Sequence, residues 1–209
     1  MHLEEDDLES EDYDFTKRLR STLITGRVGL VQASPGFVTQ LTHSGICFEN
    51  TSLYARDCTF TQHDLRSLLT RANPISITFT ECRMTEPFSF LELWRLCGSF
   101  RDLHLDIANL TFEPDFERRL ADSSHPQQSL STVALFRFPV NTDLKLLFSA
   151  VYKSSSTLPT LTLQIDELIP WHLLQEAIRP IQAVFKMHGR RDLLVMSGHG
   201  CDATTLYGS

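Results

Sequence analysis

A short phrase of apolar and polar positions returns along this chain. A polar residue comes first, then two apolar residues at alternate positions, then a buried-type residue three positions further on. It reads Ser52-Leu53-Tyr54-Ala55-Arg56-Asp57-Cys58 and Ser76-Ile77-Thr78-Phe79-Thr80-Glu81-Cys82. Later copies start at Asp102-Leu103-His104-Leu105, Thr132-Val133-Ala134-Leu135 and Thr160-Leu161-Thr162-Leu163, with a degraded sixth at Asp192-Leu193-Leu194-Val195. The steps from Leu53 to Ile77, Leu103, Val133, Leu161 and Leu193 are 24, 26, 30, 28 and 32 residues. A weaker copy at Val28-Gly29-Leu30 starts 25 residues before Leu53. Alternation of this kind is the signature of a strand with one dry face, and recurrence at 20–50 residues is that of a repeat architecture. Residues 52–56, 76–80, 102–106, 132–136 and 160–164 are therefore predicted to be neighbouring parallel strands.

Each strand needs a returning element to cover its apolar side. Stripes at three- and four-residue steps supply one after each phrase: Leu65/Leu68/Leu69, Phe90/Leu93/Trp94/Cys97, Phe112/Phe116/Leu120, Leu144/Leu147/Phe148/Val151 and Leu174/Ala177/Ile178/Ile181/Phe185. Thr61-Gln62-His63-Asp64 has the form of a capping box. Asn141 and Thr142 are N-cap types, Pro170 suits a first helical turn, and Pro180 should kink or split the last helix. Ser123–Ser129 and Ser154–Thr157 read as polar connectors. The aromatic residues of the stripes, Trp94 and Trp171 among them, are expected in the core.

The phrase resembles the leucine-rich repeat, L-x-L-x-x-(N/C)-x-L, through Leu53/Ala55/Cys58/Phe60 and Ile77/Phe79/Cys82/Met84, and then Leu103/Leu105/Ala108/Leu110, Val133/Leu135/Phe138/Val140 and Leu161/Leu163/Asp166/Leu168. The Asn/Cys position becomes Ala108, Phe138, Asp166 and Gly198 in the later copies, so the repeats are divergent. The resemblance covers residues 26–209. It implies an α/β fold: a solenoid with one curved parallel sheet of about six strands backed by helices. Divergent repeats of this kind also look like the substrate-recognition halves of F-box proteins, although the F-box pattern itself is not visible in residues 1–50.

Charge divides the chain. Residues 1–14 hold eight acids and no Lys or Arg, so the formal net charge of −7 becomes +1 once they are set aside. Residues 1–25 are read as an acidic, solvated segment and 26–209 as the folded domain. The alternative for the acidic run is a docking motif, with Leu3, Leu8, Tyr13 and Phe15 as anchors. A near-neutral body behind an acidic segment argues against nucleic acid, which selects a basic stripe. No apolar run approaches the roughly 20 residues of a membrane span. Five scattered cysteines without paired spacing point to a reduced, intracellular setting, cytoplasmic or nuclear.

Catalytic motifs are absent: no Gly-rich phosphate loop, H-E-x-x-H, G-x-S-x-G or CxxC. The Ser197-Gly198-His199-Gly200-Cys201-Asp202 cluster places nucleophile and base types near one another only along the chain, and a frayed end is the plainer reading. The histidines lack metal-ligand spacing, and no cofactor is implied. The expectation is a non-catalytic protein-binding module, since stacked strands expose an extended face. Its contact residues would be Tyr54, Arg56, Thr78, Thr80, His104, Asp106, Phe136, Arg137, Thr162 and Gln164. Phe136, large and apolar at an outward position, marks either a contact site or a place covered by a loop. The partner is another protein; the F-box resemblance points to Skp1/cullin components and an adaptor role in ubiquitin transfer. A repeat protein that activates a GTPase would need an exposed catalytic arginine, and no arginine stands out.

Overall fold

A computed structural model describes residues 2–4, 22–72, 74–97, 100–122, 130–139, 141–153, 160–165, 170–187, 193–197 and 204–207. The chain is α/β, with parallel strands and helices alternating, and it divides into two compact units. Unit 1 comprises Met1–Phe100 and Asp106–Thr111; unit 2 comprises Arg101–Leu105 and Phe112–Ser209.

Unit 1 holds β1 (His2–Glu4), β2 (Thr22–Val31), α1 (Phe37–His43), β3 (Ile46–Arg56), β4 (Thr59–Phe60), α2 (Gln62–Ala72), β5 (Ser76–Ser89) and α3 (Phe90–Leu96). β1, β2, β3 and β5 pair in that order, all parallel, with β4 beside β5. The register is the one the repeated phrase demands: Val28 lies opposite Leu53, and Leu53 opposite Ile77. The weak upstream copy is thus a full rank. Two elements were not foreseen. α1 follows β2, and β1 adds residues 2–4 to its other edge, His2 opposite Gly29. β2 also opens at Thr22, so the folded part reaches into the segment expected to be a solvated tail; residues 5–21 lie outside the described residues.

The phrase owes its spacing to a bend. Gln32, Asp57, Glu81, Asn109 and Arg137 all have φ between 54° and 65°, a left-handed conformation that costs a side-chain-bearing residue about 1–2 kcal/mol. In four strands the bend falls four residues after the first apolar position. It inserts one extra outward residue, so that Ala33, Cys58, Cys82 and Phe138 return to the core. This is why two polar positions, not one, precede the Asn/Cys position. Neighbouring carbonyls fix the bend: Gln32 N–H donates to Arg56 O at 2.9 Å and Asp57 N–H to Thr80 O at 3.1 Å. β6 (Asp102–Thr111) corrects the assigned phase. Ile107 is still buried there and the bend waits until Asn109, so Ala108 is an outward, half-buried residue and not the Asn/Cys equivalent.

At the inward position after the bend, Cys82 Sγ reaches the carbonyls of Thr80 (3.5 Å) and, on the adjacent strand, Ala55 (3.6 Å). The hydrogen bond with Cys58 and burial together push the Cys82 thiol up, which keeps it protonated. Both thiols are free and buried. In the same unit Phe60 meets Phe79 edge-on at 5.7 Å, and Trp94 meets Phe100 edge-on at 5.9 Å.

Asp64 joins two helix starts. The capping box forms as predicted: Asp64 N–H donates to Thr61 Oγ1 at 3.0 Å, and Asp64 Oδ2 accepts from Thr61 N–H at 3.0 Å. The same carboxylate also accepts Gly36 N–H (2.8 Å), Thr39 N–H (3.0 Å) and Thr39 Oγ1–H (2.7 Å), acting as the N-cap side chain of α1. Gly36, at φ 89°, offers no side chain for that task. Asp64 is fully buried. Burial alone would raise its carboxyl pKa, but the hydrogen bonds from Thr39, Gly36 and Thr61 outweigh it and hold the group below its ordinary 3.8.

Unit 2 contains Asp102–Leu105 of β6, α4 (Phe116–Asp122), β7 (Thr132–Phe138), α5 (Leu144–Lys153), β8 (Thr160–Ile165), α6 (Trp171–Met187), β9 (Leu193–Ser197) and β10 (Thr204–Tyr207). β6, β7, β8 and β9 are parallel in the predicted register, Leu103 opposite Val133, Val133 opposite Leu161, and Leu161 opposite Leu193. β10 departs from the pattern by pairing antiparallel with β9. Phe112 is not on a helix; it precedes α4 and packs on Phe116 and Phe138, each at 5.1 Å. The cap of α5 is Asp143 instead of Asn141 or Thr142, its Oδ1 accepting Lys145 and Leu146 N–H at 3.0 Å. α6 runs through Pro180 as one helix, so the proline does not split it. Asp166, Gly198, His199, Cys201 and Asp202 lie outside the described residues.

Candidate functional site

The outward strand positions divide between the two units. In unit 1, Tyr54 lies opposite Thr78 and Arg56 opposite Thr80, forming two adjacent rows. Tyr54, Thr78 and Thr80 are half-buried, while Arg56 is exposed and pairs with Asp57 at 3.4 Å. That ion pair is open to solvent and contributes little to stability. Asp106 belongs to the same unit and is structurally employed: its Oδ2 accepts Glu81 N–H at 3.0 Å. It replaces the carbonyl that serves the corresponding N–H of Gln32 and Asp57, because the bend of β6 comes two residues later.

In unit 2, His104, Ala134 and Thr162 share a row. Ala134 is small and buried. The rings of His104 and Phe136 lie 4.7 Å apart between centroids, tilted by 39°. Phe136 is therefore half-buried through its histidine neighbour, neither bare nor hidden. Arg137 is the left-handed bend residue of β7, where the register to β8 shifts between Leu135 and Phe138. Thr162 and Gln164 are half-buried on β8. A hollow of about 450 Å³ near the starts of α4 and α5 is lined by Glu113, Asp115, Asp143 and Phe112 among others. The carboxylates beside it serve the backbone: buried Glu117 accepts Asp143 N–H at 2.8 Å.

Sequence reasoning passed over Arg27, Ser52 and Ser76, which lie directly opposite one another on β2, β3 and β5 and line a hollow of about 420 Å³ with Tyr54 and Thr78. The signal was there, since Ser52 and Ser76 open their phrases, but both were read as strand starts. Among the described residues no group of three His, Cys, Asp or Glu side chains could hold a metal ion, and no helix is long and apolar enough to cross a membrane. No protein-family model matches the chain, and neither the curated proteins nor the solved structures contain a match.

Proposed function

We propose that the chain is a leucine-rich-repeat-like solenoid and that it is a non-catalytic module which binds another protein through its outward strand face. One observation carries this reading. The phrase repeats a strand with a dry inner face, yet its outer positions hold Tyr54, Arg56, His104 and Phe136 at least partly accessible. Aromatic residues and arginine dominate the binding energy of protein interfaces, and they are costly to leave on a surface that has no partner. The repeated left-handed bend and the paired Cys58 and Cys82 support the repeat assignment, because they reproduce the spacing of that motif for a physical reason.

The test is affinity capture with the full chain, followed by binding measurements on two variants. Tyr54→Ala/Arg56→Ala removes the anchors of unit 1; His104→Ala/Phe136→Ala removes those of unit 2. At least one pair should weaken binding by about 30-fold or more, the effect of a hot spot of about 2 kcal/mol, while melting as the wild type does. Unchanged affinity in both would move the working surface away from the strand face.

A further inference from the structure

Cys58 and Cys82 meet the geometric conditions for a covalent link. The register that sets Arg56 opposite Thr80 and Thr59 opposite Arg83 also sets Cys58, between β3 and β4, opposite Cys82 on β5. Arg83 N–H donates to Cys58 O at 2.9 Å and holds the two segments in step. Adjacent strands lie about 4.8 Å apart, inside the roughly 4.4–6.8 Å between Cα atoms that a disulfide takes. Both side chains point to the core, each 1% exposed, so they leave their strands on the same side. Their sulfurs are already hydrogen-bonded to one another. Among the described residues, Cys47 is exposed opposite Leu23 and Cys97 ends α3, so neither shares this geometry.

The two thiols differ in reactivity. The thiolate is the form that attacks an oxidant. The hydrogen bond with Cys82 lowers the pKa of the Cys58 thiol, whereas the same contact and burial push Cys82 up. Cys58 is thus the first nucleophile and Cys82 the resolving thiol. Burial makes the reaction depend on local opening. The backbone favours opening at this place, because Asp57 and Glu81, each just before its cysteine, are left-handed at φ 54° and 55° and lose that strain when released.

We propose that Cys58 and Cys82 are a peroxide-oxidisable dithiol, and that the disulfide they form locks the bend of β3 to that of β5. Hydrogen peroxide is the oxidant. The Cys58 thiolate attacks one peroxide oxygen, the O–O bond breaks, and hydroxide leaves from Cys58 sulfenic acid. Cys82 then gives its proton to the hydroxide and its sulfur attacks Cys58 Sγ; the S–S bond forms as the S–O bond breaks. Two thiols and one peroxide become one disulfide and two waters. The device does not depend on what the strand face binds.

The experiment exposes the full chain to hydrogen peroxide at neutral pH, blocks the remaining thiols, and maps non-reduced peptides by mass spectrometry. The expected product is a linked Cys58–Cys82 peptide pair that has lost two hydrogens and returns to two thiols with dithiothreitol. Cys47→Ser should form the bridge as the wild type does, and Cys58→Ser and Cys82→Ser should form none. In the bridged chain the Asp57 and Arg83 amides should exchange at least about tenfold more slowly, since any opening must keep the strands joined. Sulfinic acid at Cys58 in place of the bridge overturns the proposal, as does linkage of Cys58 to another cysteine. So do thiols that stay reduced at peroxide levels which oxidise exposed Cys47. A bridge that leaves both amides exchanging as before removes the lock. The wild-type map decides the matter even where a serine variant folds poorly.

Discussion

Asp64 should be the most sensitive single position outside the apolar core, and its replacement by asparagine tests how unit 1 is tied together. The carboxylate receives five hydrogen bonds in a fully buried site, two at Oδ1 from Thr39 and three at Oδ2 from Gly36 and Thr61. Asparagine keeps the shape but turns one acceptor into a donor. Its better orientation places the amide NH2 toward Thr39, whose hydroxyl can rotate to accept while its backbone N–H cannot. One buried N–H is then orphaned and the remaining bonds lose their charge assistance, a total of roughly 2–4 kcal/mol. Asp64→Ala orphans three N–H groups and should cost roughly 3–6 kcal/mol.

For a chain of this size each kcal/mol shifts the melting temperature by about 2–4 °C, so Asp64→Asn should melt about 5–15 °C below the wild type. The pH dependence supplies a second readout. Since the folded carboxyl titrates below its ordinary 3.8, its contribution is complete above that value and is lost as pH falls through the folded value. Urea unfolding of wild type and Asp64→Asn from pH 7 to pH 3 should therefore show the stability difference shrinking in acid. A variant that melts within about 1 °C of the wild type, or a difference that stays constant with pH, would refute the double-cap reasoning.

Leu105→Asp puts a charge without a partner into the core beside Leu135, at a site only 2% exposed; it should cost several kcal/mol and abolish cooperative melting by circular dichroism. At the bend of β6, Asn109 combines φ 65° with a bond from its Nδ2 to Met84 O at 2.8 Å. Asn109→Gly should lose about 1 kcal/mol for that bond, and Asn109→Ala about 0.5–1 kcal/mol more for the strained backbone; chemical denaturation ranking Ala at or above Gly would count against the left-handed bend. Deleting residues 1–4 removes the β1 ladder on β2 and should lower stability by roughly 1–3 kcal/mol, whereas an unchanged melting temperature would show that the strand contributes nothing.

The repeat and its register were legible because strand alternation has a period of two and any slip would turn Leu53, Ile77, Leu103, Val133 and Leu161 outward. The capping box at Thr61 was legible for a similar reason: it is local. What escaped was non-local or conformational. Nothing in Gln32, Glu81 or Arg137 as residue types announces a left-handed backbone; Asp57 and Asn109 belong to a class that favours it, but neither type is confined to it. With the bend invisible, the phase of β6 was fixed on Leu103 and Leu105, and the continued alternation through Ile107 was missed. β1 escaped because composition dominates the reading of an acidic segment, while three residues of backbone pairing leave no compositional trace. Asp64's second partner lies 25–28 residues away in sequence, beyond the range of any capping rule.

The bends also explain why the candidate face is chemically uneven. Each places two consecutive residues outward at the far end of its strand: Arg56 and Asp57, Thr80 and Glu81, Phe136 and Arg137. In unit 1 that end is charged, and its groups already have partners, Asp57 for Arg56 and Asp106 for Glu81 N–H. The near end holds neutral hydroxyls beside Arg27. A ligand reaching the far end of unit 1 would displace an existing ion pair. Exposed ion pairs are weak, so displacing the Arg56–Asp57 pair costs little, but it also yields little. In unit 2 the outward positions carry the His104–Phe136 ring pair, apolar area instead of charge. The two units thus present different outward chemistries from one recurring strand phrase.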